Sequence, residues 1–138
     1  MKNSFFAAMV LFACLIACNP QEKENEMLHS EVIAIHDEVM PAMGKVKSLQ
    51  NNLLKNVDEL YMEDSIVHKD KIKTLIATAT ELDSAYESMF VWMRQFNTDY
   101  KRMTAVEANI YLKQQKELVS KVNADIKEAI SKGEAINP

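Results

Sequence analysis

Residues 72–96 read IKTLIATATELDSAYESMFVWMRQF, with apolar side chains at Ile72, Leu75, Ala79, Leu82, Tyr86, Met89, Met93 and Phe96. Steps alternating between three and four residues stay on one stripe of a helix, whereas a strand would change face at every residue. Sustained over seven steps, this is the pattern of a helix in an antiparallel bundle. Upstream, Leu28, Val32, Ile35, Val39, Ala42, Val46, Leu49, Leu53, Val57 and Leu60 make a second stripe of the same kind. Its rhythm requires apolar residues near 64 and 71, where Asp64 and Lys71 stand. The sequence therefore predicts a turn near Glu63–Ser65, with Asp64 or Ser65 capping the next helix. Downstream, Asn97–Met103 is polar and basic, and Thr104-Ala105-Val106-Glu107 has the spacing of a capping box that opens a third helix. Tyr111, Leu118, Val122 and Ala129 are its expected apolar face, and Gly133 its expected stop. The predicted fold is all-α: an up-down-up antiparallel three-helix bundle over residues 27–138.

Composition agrees. In 138 residues there are 2 Gly and 48% hydrophobic side chains, so one core is affordable while tight hairpins and phosphate-cradling loops are hard to build. A net charge of −4, with 16 basic and 20 acidic groups, supplies no basic footprint for a phosphate backbone. Nucleic acid is excluded as an expected partner. One local rule is broken inside the first helix, where Pro41 leaves the Asp37 carbonyl without its amide and Gly44 follows three residues later. A kink or break belongs there.

The N-terminus carries an address. Lys2 precedes an uncharged apolar run, Phe5–Ala17, too short to span a bilayer core, which takes roughly 20 residues. The run ends in Leu15-Ile16-Ala17-Cys18, which resembles the lipobox of bacterial lipoproteins. That resemblance implies cleavage of a signal peptide, residues 1–17, taking Cys14 with it, and acylation of Cys18 with fatty acids such as palmitate. Several acyl chains hold a protein on a membrane far better than one. Residues 18–26, the lipidated Cys and a polar stretch, are then expected to act as a tether. Asn19 after the Cys fits outer-membrane residence in the lipoprotein pattern, with the domain in the periplasm or at the cell surface.

Chemistry-bearing residues are sparse. His36, Met40 and Met43 are spaced four and three, on one side of the first helix. If the chain reverses near residue 64, His36 comes level with Trp92, and Met40 with Met89 and Met93. Imidazole with thioether is the ligand set of a Cu(I) site, and His with Met also an axial pair for haem. Haem fits less well, because Ala108, Tyr111 and Leu112 occupy the matching levels of the third helix and supply no second His. Met is also an ordinary filler of helical cores, so packing remains open for the same cluster. No nucleophilic Cys survives processing, and no H-E-x-x-H, P-loop or EF-hand loop occurs. An enzyme is not expected, and no catalytic residue is assigned.

The segments His36-Asp37-Glu38-Val39-Met40-Pro41, Met43-Gly44, and Met89 with Trp92-Met93 resemble a family of small bacterial lipoproteins labelled "viral A-type inclusion protein", over about His29 to Asn97. The resemblance implies a helical, lipid-anchored protein of the cell envelope and supplies no catalytic residue. Two functions compete. One is a lipid-anchored interaction module without a cofactor, with Trp92 and Phe90 near one end for an envelope partner. The alternative is a periplasm-facing copper-binding protein using His36, Met40, Met43, Met89 and Met93.

Overall fold

The computed structural model describes residues 20–137; the expected signal peptide of residues 1–17 and the expected acylation site Cys18 lie outside the described residues. Four α-helices and two 3₁₀ turns follow in order: α1 Pro20–Val39, a 3₁₀ turn Met40–Ala42, α2 Met43–Asp64, α3 Lys69–Gln95, a 3₁₀ turn Tyr100–Arg102, and α4 Ala105–Ile136. Among the described residues there is no strand. α1 and α2 are one leg interrupted at Pro41, α3 runs back along it, and α4 returns, so the predicted three-helix up-down-up bundle is the fold.

The break at Pro41 changes the neighbour of the first leg. α1 lies mainly against α4, α2 mainly against α3, and α3 packs on α4. Pro41 stands in the first positions of the 3₁₀ turn, where its missing N–H has least to disrupt. The main core runs through all legs and includes Val32, Val39, Met43, Val46, Leu53, Leu75, Leu82, Met89, Trp92, Val119 and Ile126. At the near end α3 has already stopped, and Tyr100 from the 3₁₀ turn fills the space it leaves, packing with Leu28, Ala108 and Leu112 as a second small core.

Four expectations are corrected. Residues 20–26 are not a free tether: they form the first turns of α1, and Asn25 is buried, donating to the Ala105 carbonyl at 2.8 Å and accepting from Asn109 Nδ2 at 3.0 Å. Polar-to-polar burial of this kind leaves no apolar period to read. The chain reverses at Ser65–His68, and α3 begins at Lys69 without a side-chain cap. Asp64 binds the turn itself, accepting from the amides of Ile66 at 2.9 Å and Val67 at 3.1 Å, and these, Val67 first, hold its carboxyl below the ordinary range. Gly133 does not end α4, which continues to Ile136. It is a buried point of close approach, where a Cβ would lie 3.2 Å from Leu82 Cδ1 and 3.4 Å from Leu49 Cδ1. On α4, Leu118 faces solvent; Ala129 is buried as expected, and Ala108, Leu112, Val119 and Ile126 complete the buried face. The capping box stands as read: Thr104 accepts from the Glu107 amide, and the Glu107 carboxylate accepts from the Thr104 amide at 3.0 Å.

Candidate functional site

His36 lies on the last turn of α1, just before the break. Its Nδ1 is 2.8 Å from Asp37 Oδ1. An ionised carboxylate only accepts, so in the neutral ring the proton sits on Nδ1 and the lone pair on Nε2. Nε2 is buried and has no hydrogen-bond partner. The ring lies against Trp92, centroids 5.7 Å apart, so the expected levelling of these two residues is met. Trp92 offers Nε2 nothing, because its own N–H donates to Gln115 Oε1 at 3.0 Å.

The methionines divide. Met43 and Met89 are in the main core and Met40 packs against it. Antiparallel register puts Met40 and Met89 one turn from the His36–Trp92 level, about 5.4 Å along the axis, and in the same direction. Met93 is 39% exposed and stands outside that cluster. The level is tied to α4 by Asn123, whose Nδ2 donates to the Ile35 carbonyl at 2.8 Å and to Glu38 Oε2 at 3.0 Å. Lys127 adds a 2.6 Å bond to Glu38, and Lys127 first, then Asn123, holds the Glu38 carboxyl below its ordinary range. No group of three or more His, Cys, Asp or Glu side chains suited to a metal occurs among the described residues, so any ligand set here rests on one imidazole and thioethers.

The aromatic end expected to meet a partner is differently built. Trp92 is buried and Phe90 is half-buried, packed on Tyr86 at 4.8 Å. His29 stacks between Phe96 at 6.0 Å and Tyr100 at 5.0 Å, part of an aromatic run that lines the near end. The most exposed apolar side chains gather instead at the opposite end, on the last turn of α2 and the turn that follows it: Tyr61 at 54%, Met62 at 87%, Ile66 at 86% and Val67 at 73%. The helical stripe ends at Leu60, and the run Ile66-Val67 carries no period of its own, which is why hydropathy patterning passed over this tip. Residues 58–68 also hold Asp58, Glu59, Glu63 and Asp64, with no Lys or Arg.

No protein-family model, no curated protein and no solved structure matches the chain.

Proposed function

We propose that the protein is a lipid-anchored docking module of the bacterial envelope, held at its N-terminus through Cys18 and binding another envelope protein with the α2–α3 tip. The carrying observation is the tip: Met62, Ile66 and Val67 are the most exposed large apolar side chains among the described residues, at 87%, 86% and 73%, and Tyr61 stands beside them at 54%. An exposed apolar patch rimmed by polar residues marks an interaction site. At about 1.5 Å per helical residue, the tip stands up to roughly 65 Å from Pro20, far from the anchor. Among the described residues no helix is long and apolar enough to cross a membrane, and attachment rests on the Leu15-Ile16-Ala17-Cys18 reading.

The acidic rim selects the occupant. Inserting the tip into a bilayer would carry Glu63 and Asp64 toward hydrocarbon, at a cost of about 2.5–3.5 kcal/mol for such a charge at the centre of a membrane. A second copy would bring Asp58, Glu63 and Asp64 against their own equivalents, while Glu59 is paired with Lys55 at 3.7 Å. An apolar cleft edged by Lys or Arg satisfies both parts of the surface, and opposite charge steers the encounter.

Two experiments test this. A photo-crosslinking residue at Val67 of the full-length chain in native membranes is expected to trap one protein, with yield falling as salt rises and lost when Met62→Ser and Ile66→Ser are introduced. Crosslinks to lipid, crosslinks to a second copy, or equal trapping from the exposed Ile110 on α4 would overturn it. Replacing Cys18 by Ala should abolish fatty-acid labelling and release the protein from membranes; retained labelling defeats the anchor.

A further inference from the structure

Independently of the docking surface, we infer that the level of the bundle at the Pro41 break is a binding site for a single soft monovalent metal ion, Cu(I), with His36 Nε2 as the nitrogen ligand and the thioethers of Met40 and Met89 as sulfur ligands.

The unpartnered Nε2 carries the argument. A buried acceptor without a donor destabilises a fold, and protein interiors leave few such groups. Two kinds of partner can satisfy it. A water needs two to four polar partners, whereas the ring lies against Trp92, whose N–H is already given to Gln115 and which belongs to one apolar cluster with Met89 and the partly buried Met40. A soft Lewis acid uses the lone pair and the sulfurs together.

The group that orients the imidazole is already in place. Metal-ligating histidines almost always give their other ring N–H to a carboxylate, carbonyl or water, which fixes the tautomer and raises the basicity of the ligating nitrogen. Asp37 does this at 2.8 Å. Asn123 and Glu38 brace the turn that carries the pair, through the Ile35 carbonyl and through Lys127. The donor set also decides the metal. Thioether with imidazole selects Cu(I), whereas Zn²⁺ is held by thiolate, imidazole and carboxylate, and no cluster of three such groups exists among the described residues. Met93, half out in solvent, is left out of the ligand set.

Trp92 is the only tryptophan and touches the His36 ring, so it reports occupancy. The full-length chain in detergent, without oxygen and with ascorbate to keep copper reduced, is titrated with Cu(I) against a bidentate Cu(I) chelator while Trp92 emission is read; Ag(I) serves as a redox-inert probe. The expected result is quenching that saturates at one ion per chain, with no response to Zn²⁺. His36→Gln, and Met40→Leu with Met89→Leu, should each weaken binding at least tenfold with the helical spectrum unchanged, while Met93→Leu and Met62→Leu leave it as it is. Should a variant lose its helical spectrum, X-ray absorption at the copper edge of the loaded wild-type chain decides, with mixed nitrogen and sulfur ligation expected. Absence of quenching by either ion, a stoichiometry other than one, or quenching unchanged in folded His36→Gln overturns the site.

Discussion

Asn25 and Asn109 join the first turns of α1 to α4, and a double-mutant cycle across them tests whether residues 20–26 belong to the cooperative fold. Asn109→Ala removes the amide that donates to Asn25 Oδ1 at 3.0 Å and leaves that oxygen on a side chain only 4% exposed. A buried acceptor left without a donor costs about 1–3 kcal/mol, so a loss of about 2 kcal/mol is expected. Asn25→Ala removes that contact and the 2.8 Å bond to the Ala105 carbonyl, but Asn109 keeps Glu24, to which it also hydrogen-bonds. The loss there should be about 1 kcal/mol. In the double variant neither amide is orphaned, so the combined loss should be about 1.5 kcal/mol, short of the sum of the single losses by about 1.5. Urea unfolding followed by far-ultraviolet circular dichroism and by Trp92 emission measures all four corners, and coincidence of the two probes licenses two-state energies. Single variants that add within about 0.5 kcal/mol, or that do nothing, would refute the coupling and return residues 20–26 to the role of a loose leader.

Thr104→Ala should cost about 1 kcal/mol by removing the N-cap of α4, read as a lower thermal midpoint, with Thr104→Ser retaining most of the stability. Gly133→Val is expected to destabilise by about 1–3 kcal/mol through overpacking against Leu82 and Leu49; a neutral urea midpoint would remove the close approach from the account. The carboxyl of Asp83 is held low by Lys47 first and then Gln50, and that of Glu38 by Lys127 and Asn123. Depressed values contribute stability above the ordinary carboxylate range and lose it as pH falls through the folded value, so the urea midpoint should be level near neutrality and decline below about pH 4.5, less steeply in Asp83→Asn. Lys132 is raised to about 12 by Glu81 and then Glu128, so its contribution is complete below its ordinary value and is lost as pH rises through about 12; Lys132→Met should flatten the alkaline limb of the same curve.

How far the chain was legible depended on how wide each buried face is. The first leg packs mainly on one neighbour at a time, α1 on α4 and α2 on α3, and its stripe, Val32, Val39, Val46, Leu53, Val57 and Leu60, is buried much as its spacing says. α3 and α4 touch two legs each, so their buried faces are broader than a three-four stripe and take in Thr78, Ala85 and Trp92 on α3, and Asn109, Asn123 and Gly133 on α4. Leu118 and Val119 are both apolar neighbours, and only the position of α1 and α2 decides that Val119 goes in. Asn25 and Asn109 satisfy each other across 84 positions, a pairing that hydropathy does not register. At the candidate site, spacing and register brought His36 to Trp92 and separated Met40 and Met89 from ordinary surface residues. They did not show that Nε2 would be left without a partner, because that depends on where the Trp92 N–H goes, and Gln115 comes from the third leg. Pro41 was legible as a break; the change of neighbour from α4 to α3 is a tertiary fact.

The chain departs from local rules at two places, and the departures are of opposite kinds. At the tip, apolar side chains are exposed where polar ones would serve the fold; at the break, a polar atom is buried where an apolar one would. Real proteins break such rules at functional sites more often than elsewhere, so each place has a claim of its own. They are also far apart: Met62 lies 26 residues along the first leg from His36, which at about 1.5 Å per residue puts roughly 35–40 Å of helix between them. Side chains at that separation with no shared partner behave additively. Met62→Ser with Ile66→Ser is therefore expected to leave the copper titration of Trp92 unchanged, and His36→Gln to leave crosslinking from Val67 unchanged. If instead copper altered the crosslinking yield, the two sites would share an equilibrium, and the 3₁₀ turn at Met40–Ala42, which sets how α2 leaves α4, is the element whose geometry both would have to bias.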